Sequence, residues 1–400
     1  MANKTIPSCP VCRSDQLVDL LQMTDIPIVC NNLHLSKNSA LEATCGDFHL
    51  TFCKHCGHCF NPGFNEDTMD YGANYETSLH FSPKFQDYAS HLSRRLIETY
   101  GLHHKVIIEM GCGQGEFLSE ICERGNNKGI GFDQSFDRTQ ADLPDFVRVY
   151  DRNFGTEFSD VKADLICCRH VLEHVADPHA FLRMVRTGYQ FNRDGIVYFE
   201  VPNGLFTLRD LGIWDLIYEH CAYFWEGSIR RLFEDCGFTV LRTETTYDDQ
   251  FLSIEARVNS APNKISDTVY ECTSELNQLS DYAQNFASKF LNKQKHWRDV
   301  RRTLSAEHKT SVVWGAGSKG ITFLNLTRPS NRAADRLLFA VDISPRKHGK
   351  FVPGTGQEIV PPEALIDINP DVVFLMNSTY TEEIRSQLAD MGLNPRVEIV

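Results

Sequence analysis

Val106-Ile-Ile-Glu-Met-Gly-Cys-Gly-Gln-Gly115 reads as a short apolar strand running into a Gly-x-Gly-x-Gly turn, and the residues that follow, through Cys122, read as a helix. Glycines at 111, 113 and 115 let the backbone approach a ligand where a Cβ would collide. One strand further on, Gly129-Ile-Gly-Phe-Asp133 ends in an acid placed to accept both hydroxyls of a ribose. Two details separate the loop from a dinucleotide fingerprint. Glu109 stands ahead of it, where a carboxylate repels a pyrophosphate but accepts from an ammonium group, and the third glycine follows the second by two residues rather than three. The pattern predicts S-adenosylmethionine (SAM), held by Glu109, Gly111, Cys112, Gly113, Gly115 and Asp133.

Outward from this loop, strand-like runs recur at Phe146 to Tyr150, Asp164 to Cys168 and Gly195 to Val201, with helical segments between several of them. Strands that alternate with helices predict an α/β domain with a doubly wound parallel sheet. Ahead of it, residues 71 to 105 read as a tyrosine-rich loop and an amphipathic helix bearing Tyr88, Leu92, Leu96 and Ile97 at helical spacing. Beyond it, Val269, Cys272, Leu276, Leu279, Tyr282, Phe286 and Phe290 fit one buried stripe of a long helix from about Ser266 to His308. A second βα unit then opens with Ser311 to Trp314 and Gly315-Ala-Gly-Ser-Lys-Gly320, and further strands are expected at Leu338 to Val341 and Val372 to Met376. The expected domains are a zinc-binding module over 1–70, the SAM domain over 71–262, and the linking helix with a second Rossmann-like α/β domain over 263–400.

The first segment carries seven of the chain's 14 cysteines before residue 60. Cys9-Pro-Val-Cys12 and Cys53-Lys-His-Cys56 can each present two thiolates through a tight knuckle, and four thiolates satisfy tetrahedral zinc. His55, His58 and Cys59 crowd the second knuckle as lesser candidates, whereas Cys30 and Cys45 are expected to be buried as small hydrophobes. No water-activating glutamate stands nearby, so the expected zinc is structural. A formal charge of −13 disfavours a nucleic-acid partner. The opening residues show no signal-like apolar run and no stretch has the length of a membrane span, so a cytoplasmic location is expected, with thiols reduced. The oligomeric state is not legible.

Cys167-Cys-Arg-His-Val-Leu-Glu-His-Val-Ala-Asp-Pro178 resembles the post-strand segment of class I methyltransferases, matched here by Val171, Leu172, Glu173, His174, Asp177 and Pro178. Arg169 and His170 fall at the carboxyl end of the sheet, where doubly wound folds bind ligands, and are expected to border the cofactor. His170 and His174, one helical turn apart, also offer a metal pair, although the order His-Glu-x-x-His is absent. Trp214-Asp-Leu-Ile-Tyr-Glu-His-Cys-Ala-Tyr-Phe224 resembles the Tyr-Glu-His signature of three-domain sugar C-methyltransferases, and Asp70-Tyr-Gly-Ala-Asn-Tyr-Glu-Thr-Ser78 resembles the loop over their active site. Val341-Asp-Ile-Ser-Pro-Arg-Lys-His-Gly-Lys-Phe-Val-Pro-Gly354 and Pro370-Asp-Val-Val-Phe-Leu-Met-Asn377 resemble their C-terminal domain. The ordered set spans nearly the whole chain. It departs at Met376, where the family usually has tryptophan, and at Val29-Cys30, where it usually reads Leu-Ala.

The resemblance implies methylation of a carbon next to the keto group of a nucleotide-linked deoxysugar. Carbon is a poor nucleophile until an α-proton is removed, so the reaction needs a base and a donor to the enolate oxygen. The expected base is His220, with Glu219 orienting it, Tyr218 or Tyr223 donating, and His174, Tyr71 and Tyr75 at the site. Lys319, Lys347 and Lys350 could face a nucleotide diphosphate. Competing readings are an O- or N-methyltransferase of another small metabolite, an NAD-dependent oxidoreductase built on Gly315 to Gly320, and a zinc-module binding protein with an inactive methyltransferase domain.

Overall fold

A computed structural model of the chain describes residues 8–72, 75–139, 141–154, 161–188, 190–258, 273–329 and 335–400. The chain opens with strands β1 (Leu17–Pro27), β2 (Cys45–Cys53) and β3 (Cys59–Phe60), each antiparallel to the next. The alternation of Phe48, Leu50 and Phe52 along β2 puts these side chains on the buried face of the first sheet. This is regular structure where the sequence shows little periodicity.

The helix Pro83–Tyr100 leads into the central sheet. Its strands are β4 (Val106–Met110), β5 (Lys128–Phe132), β6 (Val147–Tyr150), β7 (Lys162–Arg169) and β8 (Gln190–Pro202). The segment that follows contributes β9 (Ala222–Tyr223), and the central sheet ends with β10 (Phe238–Thr246) and β11 (Phe251–Val258). The order across the sheet is β10-β11-β8-β7-β4-β5-β6, parallel from β8 to β6, with β11 antiparallel to both of its neighbours. The strand order reverses between β4 and β7, so a crevice for ligand opens beyond their carboxyl ends. This is the doubly wound fold the glycine loop predicts. The hairpin of β10 and β11 was not foreseen, since its sequence alternates around Tyr247-Asp-Asp-Gln250 rather than forming an apolar run.

β9 does not join the central sheet. It pairs with β3, Cys59 opposite Tyr223 and Phe60 opposite Ala222, and so sews the segment after His220 onto the N-terminal sheet. The long helix is described as Thr273–Ala306; Val269 and Cys272 lie outside the described residues. Its Leu279, Phe286, Phe290 and Trp297 are buried in one apolar cluster with Phe48, Trp214, Phe323 and Phe374, so the three parts share a core. The last sheet, with β12 (Ser311–Trp314), β13 (Leu337–Val341), β14 (Glu358–Val360), β15 (Val372–Leu375) and β16 (Arg396–Ile399), is wholly parallel in the order β14-β13-β12-β15-β16. No helix among the described residues is long and apolar enough to cross a membrane.

Candidate active site

The glycine loop leaves β4 with Gly111, Gly113 and Gly115 at φ of +69°, +56° and +87°, a region that costs other residues about 1–2 kcal/mol. A Cβ on Gly111 would lie 2.2 Å from Val171 Cγ2, so the loop and the segment after β7 close on each other only because the side chain is absent. Gly111→Ala is expected to weaken SAM binding about tenfold or more. Titration calorimetry checks this, and an unchanged affinity would show that the loop is not the cofactor cradle.

Asp133 directly follows β5 and is tied to the loop, its Oδ2 accepting from Gly113 N–H at 2.7 Å and its Oδ1 from Ser135 N–H at 2.8 Å. Glu109 is buried in β4, and its Oε2 has no partner. Burial, aided by the charges of Glu116, Asp133 and Glu200 and opposed by Arg169, pushes its carboxyl up to about 8. As the expected partner of the SAM ammonium, Glu109 would give up a proton on binding at neutral pH. SAM affinity is expected to rise by close to tenfold per pH unit between about pH 6 and 7.5, with about one proton released per SAM bound. Calorimetry in buffers of different ionisation enthalpy checks this, and Glu109→Gln is expected to flatten the dependence.

Arg169 and His170, at the carboxyl end of β7, are both paired to buried carboxylates. Arg169 Nε donates to Glu200 Oε1 at 3.1 Å while its guanidinium lies 4.4 Å from the Phe117 ring centroid. His170 Nε2 stands 3.3 Å from the same carboxylate oxygen, and its Nδ1 3.6 Å from Glu173. Burial works against a charged His170, but the bonds to Glu173 and Glu200 overcome it and raise its pKa to about 9. Glu200 also accepts from Tyr88 and, at 2.9 Å, from Tyr198. Sequence reading passed over Glu200 because Gly195 to Val201 looks like an ordinary buried strand. A carboxylate near the end of that apolar run was the available signal.

Further groups converge on the carboxyl edge of the sheet. His174, on the turn after β7, and His220, on the segment before β9, stack edge to face with centroids 4.8 Å apart. His174 Nδ1 donates to the Glu219 carbonyl at 3.0 Å, with the Tyr71 hydroxyl 3.3 Å away. Tyr71 in turn packs on Tyr75, centroids 5.0 Å apart, in the loop predicted to lie over the site. The buried Glu219 has no partner on either oxygen, Glu173 has none on Oε2, and His220 has none on Nδ1. Burial lifts the Glu219 carboxyl to about 8; burial with the neighbouring His174 and His170 drives His220 well down. Buried polar atoms are nearly always paired in folded proteins, so this concentration of bare acceptors marks a place that a ligand completes.

Two expected donors point elsewhere. Tyr218 donates its hydroxyl to the Gly63 carbonyl at 3.2 Å, and its ring lies against Gly46, so it anchors the N-terminal part. The Tyr223 hydroxyl lies 3.3 Å from both the amide and the carbonyl of Ile217. The lysines are also corrected. Lys347 is buried in an ion pair with Asp342 at 3.0 Å, and Lys319 donates to Gln250 at 2.5 Å and faces Asp215 at 3.4 Å, bridging two parts of the chain. Lys350 is half-buried.

Cys9, Cys12, Cys53 and Cys56 bring their Sγ atoms within 4.8 Å of one another, with Cys9 to Cys56 at 3.6 Å and Cys12 to Cys53 at 3.5 Å. Zinc–sulfur bonds of about 2.3 Å in a tetrahedron space sulfurs about 3.8 Å apart, so this donor set fits a zinc ion. His58 is buried between Phe60 and Phe224, and Cys59 belongs to β3, so neither is in the group. Cys30 is buried as expected, but Cys45 is only half-buried.

Two family models match this chain, and the boundary between them falls within the hairpin of β10 and β11. A family described as "Methyltransferase domain" matches residues 84–243, and one described as "C-methyltransferase C-terminal domain" matches residues 254–394. C-methyltransferase NovU of Streptomyces niveus is 23% identical over 95% of this chain and 92% of its own length. The ubiquinone biosynthesis O-methyltransferase of Pasteurella multocida is 27% identical over 34% of this chain and 60% of its own. Among solved structures, magnesium protoporphyrin IX methyltransferase of Synechocystis PCC 6803 is 19% identical with a TM-score of 0.34, over 48% of this chain and 91% of that one.

Proposed function

We propose, given that this chain is a SAM-dependent methyltransferase carrying a C-methyltransferase C-terminal domain, that it methylates a carbon next to the keto group of a nucleotide-linked deoxysugar. The observation that carries the reading is the set of bare, buried acceptors on Glu173, Glu219 and His220, gathered from the segment after β7 and the segment before β9. A sugar, rich in hydroxyl donors, complements such a surface, and the imidazole is placed to take an α-proton. We place the enzyme in the cytoplasm, where thiolates of a structural zinc site stay reduced.

Glu109, Gly111, Cys112, Gly113, Gly115 and Asp133 would hold SAM, which supplies an electrophilic methyl group. Glu200 fixes Arg169 and His170 as the wall beside it. His220 Nδ1 accepts the proton from the substrate carbon. Tyr75 replaces Tyr218 and Tyr223 as the donor to the enolate oxygen, and His174, locked by its bond to the Glu219 carbonyl, holds the His220 ring edge-on. SAM held by the glycine loop would supply the methyl group to the carbon that His220 deprotonates. An oxidoreductase reading of Gly315 to Gly320 is disfavoured because residues 254–394 match a C-methyltransferase C-terminal domain.

The test is proton exchange. In D₂O, with S-adenosylhomocysteine replacing SAM, the enzyme is expected to wash deuterium into the α-carbon of a nucleotide-linked keto sugar; absence of exchange across a panel of such sugars would overturn the reading.

A further inference from the structure

Glu173, His174 and His220 each bring one ligand-competent atom into a group whose members all lie within 4.8 Å of one another. They come from two separate segments, the turn Leu172–His174 after β7 and the stretch between the turn Ile213–Asp215 and β9. The His174 Nδ1–H bond to the Glu219 carbonyl at 3.0 Å leaves Nε2 as the bare nitrogen, the arrangement by which metal-binding histidines are oriented. Glu173 Oε2 and His220 Nδ1 are buried with no partner. One ligand-capable atom of each of the three residues lies within reach of a single cation.

We infer that Glu173, His174 and His220 form a second metal site, distinct from the four thiolates, for a late first-row divalent cation such as Zn²⁺, and that an ion bound there blocks methyl transfer. Two imidazoles and one carboxylate suit zinc, whereas magnesium and calcium take oxygen ligands. Zinc bonds of about 2.0–2.2 Å put neighbouring ligand atoms about 3.3 Å apart, so the group must contract by roughly 1.5 Å at most, which side-chain rotation supplies. The ion would occupy the His220 lone pair that proton abstraction uses. The blockade therefore rests on the reading of His220 as the base, whereas the site itself does not.

The experiment uses the full chain with its thiolate site filled. Equilibrium dialysis against Zn²⁺ is expected to give two ions per chain, falling to one in both His220→Asn and Glu173→Gln, with circular dichroism confirming that each variant is folded. A single ion in the unaltered protein, or a second ion retained by both variants, overturns the site. Methyl transfer by the unaltered protein is expected to fall at least tenfold as the second ion binds and to recover when a mild chelator removes it. A second ion that binds while activity stays constant would overturn the blockade and the base assignment but leave the site standing.

Discussion

His220→Asn is expected to lower single-turnover methyl transfer by about 10²–10⁴-fold, the usual contribution of a positioned general base, while SAM affinity changes by less than about twofold. Asparagine keeps a polar side chain of similar reach against His174 and Tyr223 but cannot accept a proton. The His220 ring is fixed from several sides, 4.8 Å from the His174 centroid and 6.2 Å from that of Tyr223, and its Nδ1 is the unpaired atom. A merely structural role would lower stability and SAM binding together with activity. The discriminating readout is α-proton exchange without SAM, which the variant should lose to the same extent as methyl transfer. Unchanged transfer would remove His220 from the chemistry.

Cys53→Ser is expected to abolish methyl transfer although the residue lies in the N-terminal part. Folding energies of zinc-finger peptides on metal binding are about 10–16 kcal/mol, and even a fraction of that exceeds the margin of a typical domain. The knuckles do more than close a small module. Trp225 Nε1–H donates to the Cys56 carbonyl at 2.9 Å, His179 bonds the Val11 carbonyl at 2.7 Å, and β3, which begins at Cys59 just beyond the second knuckle, carries β9. Loss of zinc should therefore loosen the segment that bears Glu219 and His220. The expected signature is one zinc fewer per chain, a lower unfolding midpoint and lost activity, with SAM binding kept in large part because the glycine loop rests on β4 and β5. Full activity in a zinc-free variant would contradict the coupling.

What the sequence makes legible here is local. The turn at Gly111 to Gly115, the acid at Asp133 and the paired cysteine spacings are each written within a few residues, because a tight turn or a knuckle demands particular side chains at fixed offsets. What it hides depends on contacts between distant segments. Nothing in Ala222-Tyr223 says that it pairs with Cys59-Phe60. Tyr218 sits beside Glu219 and His220 in the chain, yet the direction of its ring is set by Gly46 and Gly63 far upstream. Lys347 looks like a surface charge until Asp342 is found at 3.0 Å, and Glu200 looks like one residue of a strand until four partners gather on it. Burial decides each of these cases, and burial is a property of the assembled fold.

The most direct test of the account is where the methyl group goes. With SAM labelled by ¹³C at the methyl and a nucleotide-linked keto sugar, carbon NMR of the product is expected to show the label as a methyl on a ring carbon next to the former keto group, with no methoxy resonance. Label found in a methoxy or N-methyl group, with none on carbon, would contradict it.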